Sequence, residues 1–181
     1  MSSEPRIAPE ILQRASKVRL LVLDVDGTLT DGRIWIGPTG EALKSFHVRD
    51  GLGLRLVQKA GVALAWVTAR TSPIVAHRAQ ELGIERVVQG CADKLEALRK
   101  LCTELGITPS EVAWMGDDLP DRPALRAVGL AAAPADAHPW VAASVHWQST
   151  LPGGAGAVRE LCDLLLVARG SRDRILEDWG G

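Results

Sequence analysis

Tyrosine is absent and phenylalanine occurs once, so the aromatic surface rests almost wholly on six tryptophans. Platforms that stack nucleic-acid bases combine aromatic with basic residues, and no such stretch is present. A basic excess is lacking as well. The chain has 21 Lys and Arg against 22 Asp and Glu, a formal net charge of −1, whereas a nucleic-acid surface needs surplus cations to neutralise phosphates. Cysteine is scarce: Cys91, Cys102 and Cys162 are odd in number and widely spaced. They fit neither a disulfide framework nor a metal-ligand pattern, and read as small core residues in a reducing compartment. No apolar run approaches the length that spans a bilayer. Met1 to Lys17 is polar and charged, without the apolar centre of a signal peptide. These absences predict a cytoplasmic protein with neither nucleic-acid nor membrane partners. A length of 181 residues suits a single domain over residues 1–181.

What the chain does have is a strand that ends in acid. Leu20 to Leu23 is an unbroken apolar run, as in a strand buried on both faces of a parallel sheet. It ends in Asp24-Val25-Asp26-Gly27-Thr28. Open α/β sheets place their ligands at the carboxyl ends of strands. Asp and Gly are also ordinary turn formers, so the quintet alone has a bland reading as a strand cap. The functional reading starts from repulsion, because two carboxylates held this close stay ionised most readily around a divalent cation. Ligands that are all oxygen favour Mg²⁺, which takes one or two carboxylates and completes its shell with water and substrate phosphate.

Downstream the pattern alternates. Residues 9–17 read as a short amphipathic helix opened by Pro9. Residues 33–47 read as a β-hairpin, with Ile34-Trp35-Ile36 and Leu43 to Phe46 as strands around Gly37-Pro38-Thr39-Gly40. Ile34 and Ile36 point one way and Trp35 the other, so both faces are apolar. A lone ribbon of this kind is marginal. It is expected to pack against copies of itself, the alternative being a hairpin folded onto its own core. A helix from Asp50 stopped by Gly61, a strand over 62–67, and a helix from Ser72-Pro73 to Leu82 come next. A short strand at 87–89, a helix between Asp93 and Gly106, and a strand over 112–115 follow. After a helical stretch over 120–128 come a strand over 129–133, an edge strand near Val145 to Trp147, and a helix over 157–168. Residues 170–181 read as a polar, loose tail. This order predicts an α/β fold with a doubly wound, mostly parallel sheet.

Four element ends carry chemistry: Asp24 and Asp26, Thr68, Lys94, and Asp117 with Asp118 and Asp121. Each is ordinary alone. Together and in this order they supply the positioning and charge neutralisation that phosphoryl transfer needs, and they resemble the full motif set of the haloacid dehalogenase superfamily of phosphohydrolases. The resemblance implies a Rossmann-like core and Mg²⁺ as cofactor. Asp24, fixed by its strand, suits the nucleophile that forms an acyl phosphate. Asp26 suits the acid that protonates the leaving alcohol and then activates water. Thr68 offers a hydroxyl and nearby N–H groups to the phosphoryl oxygens, and Lys94 adds positive charge there. Asp24, the backbone carbonyl of Asp26, and Asp117 would hold Mg²⁺. Asp118 or Asp121 would ligate through water or orient Lys94.

Large members of that superfamily insert a cap domain between these motifs. Here the gaps hold only the hairpin, two helices and a short strand. The site is open unless the substrate is large or a neighbouring subunit covers it. Asp24 to Gly32, Leu43 to Gly51, Gly90 to Lys94, Gly116 to Asp121 and Gly153 to Glu160 are together similar to the 3-deoxy-D-manno-octulosonate 8-phosphate phosphatase family, a likeness that runs from about Val18 to Arg169. It implies a homotetramer whose hairpins form a shared barrel and whose subunits cap one another's sites. It also implies release of phosphate from a sugar-acid phosphate on the route to lipopolysaccharide. Arg49 is the most discriminating residue, since similar nine-carbon sugar-acid phosphatases usually lack it and a guanidinium suits a carboxylate bidentately. Its alternative is a surface ion pair with Asp50 or Glu41. Arg70 and Arg78 are further substrate candidates, Arg78 being equally suited to a solvated helix face, and Lys44 is expected to reach a neighbour's site.

The chain departs from the family at Ala69, where Gly is usual and Ala is tolerable at negative φ, and at Ala155, where Arg is frequent. Other readings stay open: a phosphatase of a nine-carbon sugar-acid 9-phosphate, a less selective sugar phosphatase, a phospho-aspartate receiver module, or a scaffold that uses only the hairpin.

Overall fold

The structure is a computed structural model that describes residues 7–180. The first six residues of the polar N-terminal stretch and Gly181 lie outside the described residues. In chain order the elements are α1 (Pro9–Ser16), β1 (Leu20–Leu23), β2 (Trp35–Gly37), β3 (Gly40–Leu43), α2 (Val48–Lys59), β4 (Ala63–Val67), α3 (Pro73–Glu81) and β5 (Arg86–Val88). Then come α4 (Lys94–Leu105), β6 (Val112–Met115), α5 (Arg122–Leu125), β7 (Leu130–Ala133), α6 (Pro139–Ala142), β8 (Trp147–Gln148), α7 (Ala157–Ala168) and α8 (Arg172–Asp178).

β1 is the centre of the molecule because it is apolar on both faces. Leu21 and Leu23 meet a layer built by α1, α2, α3 and α7, while Leu20 and Val22 meet α4 and α5. All four residues are fully buried, each contributing roughly 1.5–3 kcal/mol of apolar burial. The six-stranded sheet has the order β5-β4-β1-β6-β7-β8, and every pairing is parallel. The doubly wound sheet is therefore as expected. The chain winds outward from β1 to β5, returns to β6, and winds outward the other way to β8. The carboxyl ends of β1 and β6 flank this reversal, which is where such sheets open a crevice.

Local signals account for several boundaries. Asp93 caps α4 by accepting the N–H of Glu96 at 3.0 Å, and Gly106 closes it in the left-handed conformation at φ 60°. Elsewhere the structure differs from the expectation. α2 begins at Val48, so Arg49 lies in its first turn. The hairpin pairs β2 with β3 through an irregularity between Trp35 and Ile36, and its second strand stops at Leu43. Phe46 turns inward instead and stacks on Trp66 at 6.0 Å. The tail expected to be loose forms α8. Its charged composition masks a short apolar stripe, of which Ile175 packs on the core. All three cysteines are free thiols. No helix among the described residues is long and apolar enough to cross a membrane.

Candidate active site

Two loops close over the crevice. The N–H of Asp24 donates to the carbonyl of Met115 at 3.0 Å, which ties the end of β1 to the end of β6. Gly27 follows at φ +88°, and a Cβ there would lie 2.2 Å from Asp117 Oδ2. Only glycine lets the two loops approach this closely. The Thr28 hydroxyl donates to Asp117 Oδ1 at 3.3 Å. The glycine-rich stretch before α7 supports the same loop from behind. A Cβ on Gly153 would come within 1.9 Å of the Gly27 carbonyl, and Gly154 N–H donates to Thr28 O at 3.0 Å.

Lys94, the first residue of α4, is buried and points into this junction. Its Nζ lies 2.7 Å from Asp24 Oδ1 and 2.8 Å from Asp121 Oδ1. Asp121 Oδ1 also accepts the indole N–H of Trp114, on β6, at 3.0 Å. Asp118, by contrast, is exposed and accepts the N–H of Leu119 at 2.7 Å. Of the two acids proposed to orient Lys94, only Asp121 reaches it.

Asp24, Asp117 and Asp121 each offer an oxygen within 4.8 Å of the others. Burial raises Asp24 to about 6, Lys94 opposing the shift and Asp117 adding to it. Burial, then the charge of Asp121, raises Asp117 to about 6. Burial, then the charge of Asp24, raises Asp121 to about 6. Burial disfavours the charge on Lys94, but the two flanking carboxylates outweigh it and lift its pKa. One ammonium thus faces three carboxylates that resist ionising together. An all-oxygen cluster with this surplus of negative charge fits Mg²⁺.

The other expected residues surround this centre unevenly. Thr68 is buried at the end of β4. Its N–H donates to Val88 O at 2.9 Å, and its hydroxyl accepts the N–H of Arg70 at 3.2 Å. No non-glycine residue among the described residues has positive φ, so Ala69 fits where the family has Gly. Lys44 was expected to reach a neighbour's site. Its ammonium instead pairs with its own chain's Asp26 and lies 2.8 Å from Glu41, because the hairpin folds back over the loop after β1. Glu41 also accepts the Ser72 hydroxyl and lies 3.6 Å from Arg70. Burial alone would raise Glu41, but Lys44 and Ser72 hold its pKa below the usual range. Ser72 stands at the N-cap of α3 ahead of Pro73, as the sequence suggests, but its hydroxyl is spent on this contact and makes no capping hydrogen bond.

Arg49 is exposed and pairs with neither acid suggested for it. Asp50 accepts the N–H of Arg159 at 2.8 Å, and Glu41 is occupied as above. Arg78 is not joined to the carboxylate cluster: it pairs with Glu81 at 2.7 Å and lies over the Phe46 ring at 5.9 Å. Four participants escaped the sequence reading. Trp114 looks like any apolar strand residue, Thr28 like a turn, and Glu41 and Ser72 meet only through the folded hairpin.

This arrangement defines a phosphohydrolase-type site on a doubly wound sheet. The model of the haloacid dehalogenase-like hydrolase family matches residues 41–129, a span that includes Thr68, Lys94, Asp117 and Asp121. The chain is 45% identical to the 3-deoxy-D-manno-octulosonate 8-phosphate phosphatase of Yersinia pestis over 163 residues, 90% of this chain and 87% of that one. A hypothetical protein of Xanthomonas campestris has the same fold at a TM-score of 0.95, with 45% identity across all of both chains. The 3-deoxy-D-manno-octulosonate 8-phosphate phosphatase of Moraxella catarrhalis, solved with magnesium, phosphate and KDO, gives a TM-score of 0.93 at 41% identity, covering 96% of this chain and 99% of that one. The chain belongs to the 3-deoxy-D-manno-octulosonate 8-phosphate phosphatase family.

Proposed function

We propose that this chain hydrolyses 3-deoxy-D-manno-octulosonate 8-phosphate to the free sugar acid and phosphate, in the synthesis of lipopolysaccharide precursors. The observation that carries the reading is Lys94 clamped between Asp24 and Asp121, in a chain of this family. Asp24 attacks phosphorus, the bond to the C8 oxygen breaks, and an acyl phosphate forms on the carboxylate. Asp26 gives its proton to the departing alkoxide. It then takes a proton from water, which attacks the acyl phosphate and returns Asp24. Asp24, Asp117 and the backbone carbonyl of Asp26 would hold Mg²⁺, which supplies charge neutralisation at the phosphoryl oxygens. Thr68 and the N–H groups beside it bind the same oxygens, and Lys94 keeps Asp24 oriented and ionised. Lys44 holds Asp26 in place. Arg49 and Arg70 take the anionic end of the substrate.

Oligomerisation completes the proposal. Trp35, Leu43 and Ile36, which is 79% exposed, leave an apolar ribbon in water on a short hairpin. We place this ribbon at the centre of a cytoplasmic homotetramer of single-domain subunits that cover one another's sites.

Phosphate release with Mg²⁺ should be measured on the eight-carbon and nine-carbon sugar-acid phosphates, hexose phosphates and p-nitrophenyl phosphate. Preference for the eight-carbon acid, abolished in Asp24→Asn, is the expected result. Equal turnover of all substrates would withdraw the substrate, and activity in Asp24→Asn would withdraw the nucleophile.

A further inference from the structure

Four buried polar atoms have no hydrogen-bond partner among the described residues and belong to residues lining one cavity: His47 Nδ1, Asp50 Oδ2, Trp66 Nε1 and Arg78 Nε. The cavity measures about 10 Å³, and its other walls are mainly apolar, Leu29 and Leu54 among them. The four residues come from different places in the chain. His47 and Asp50 flank the start of α2, Trp66 is on β4, and Arg78 is on α3. Other contacts hold these side chains where they are. Asp50 Oδ1 accepts the N–H of Arg159 at 2.8 Å, and Arg78 Nη1 donates to Glu81 at 2.7 Å. Arg78 Nη2 lies so close to Gly51 that a Cβ there would come within 2.7 Å of it.

Leaving a buried polar atom unpaired costs about 1–3 kcal/mol, and four around one cavity call for a ligand. Their valences say which. Trp66 Nε1 and Arg78 Nε can only donate, and an ionised Asp50 oxygen can only accept. His47 Nδ1 accepts when the ring proton sits on Nε2. An anion would face the Asp50 carboxylate, and a cation would face the two N–H donors. One water molecule, which accepts twice and donates twice, matches all four groups, and the cavity has room for one.

We propose that His47, Asp50, Trp66 and Arg78 bind a single buried water that ties the foot of the hairpin and the first turn of α2 to β4 and α3. This turn carries Arg49, so the water fixes the position from which Arg49 projects. The assignment does not depend on which substrate the enzyme takes.

A crystal structure at about 1.5 Å tests it directly. The expected result is one fully occupied solvent peak within hydrogen-bond distance, up to about 3.2 Å, of all four atoms. No peak, a direct bond between two of the four groups, or replacement of the peak by bromide on soaking would overturn it. Asp50→Asn gives a second test, since it can keep the oxygen that Arg159 needs while turning the cavity-facing acceptor into a donor. Amide exchange at Gly51, whose N–H donates to His47 O at 3.3 Å, should rise about tenfold, the equivalent of one lost hydrogen bond. Protection at Arg159 should stay as it was. Unchanged exchange at Gly51 would refute the tie. Trp66→Phe, which deletes one donor and leaves α2 untouched, gives the same comparison should the asparagine variant fold poorly.

Discussion

Asp117→Asn separates the cost of gathering carboxylates from the benefit of the cation they hold. Asp117 has an ordinary value of 3.8 and is raised to about 6 in the folded chain, first by burial and then by the charge of Asp121. A carboxyl whose folded pKa is raised contributes stability that is fully present below the unfolded value and is lost as pH rises through the folded one. A shift of roughly two units amounts to about 3 kcal/mol. Asp24 and Asp121 titrate together with Asp117, so this is an upper figure for a single group. In EDTA at pH 7.5, Asp117→Asn should therefore be more stable than the unsubstituted chain. At about 2–4 °C per kcal/mol for this chain length, its melting temperature should be up to about 6–12 °C higher. At pH 5 the native carboxyl is mostly protonated while the unfolded one is ionised, so about half of the cost remains. The gap should shrink to at most about 3–6 °C, closing only below the unfolded value of 3.8. Adding Mg²⁺ at pH 7.5 should raise the melting temperature of the native chain and leave that of Asp117→Asn unchanged. Scanning calorimetry at the two pH values reads all of this. A variant less stable than the native chain at both would refute the electrostatic reasoning, because it would mean that Asp117 acts in the apo fold as a packing or hydrogen-bonding group.

Trp114→Phe removes one hydrogen bond to Asp121 and leaves Lys94 in place. kcat should fall about tenfold, as for a bond to a charged group, with KM unchanged, and an unchanged kcat would mean that Lys94 alone positions Asp121. Arg49→Ala should lower kcat/KM on the sugar-acid phosphate by about 10–100-fold while turnover of p-nitrophenyl phosphate stays level; equal loss on both would make Arg49 structural. Trp35→Asp should give monomers in light scattering, with weak activity on the sugar-acid phosphate, and a fully active monomer would remove the shared lid.

Legibility in the sequence followed the range of the interactions. β1 and its acidic end are written in adjacent residues, as are the Asp93 cap and the Gly106 stop of α4. The order of strands and helices implies the sheet, and the sheet implies that Asp24 and Asp117 meet. What escaped depends on side chains arriving from distant elements. Trp114 has the composition of a core residue, and its N–H acquires a function only because Asp121 turns back beneath β6. Lys44 was expected at a neighbour's site because nothing local says that the hairpin folds toward its own chain's Asp26. α8 was missed because its Arg and Asp residues outweigh the apolar stripe holding Ile175 to the core. Arg78 suited a substrate ligand or a solvated helix face equally by its place in the chain, and Glu81 and Phe46 claim it instead.

The all-parallel sheet also bears on how the chain is made. No pair of parallel strands can close as a tight hairpin, so each must wait for a crossover, and β1 waits longest. Leu20 to Leu23 leaves the ribosome early, while Val112 to Met115, its partner along one edge, follows much later. Through that interval an apolar strand has an unpaired edge, which is the geometry that recruits other chains. Pairings so distant in sequence also form slowly. The yield of folded protein during synthesis is then governed by the delay between these two strands, and stability of the finished sheet does nothing to shorten it.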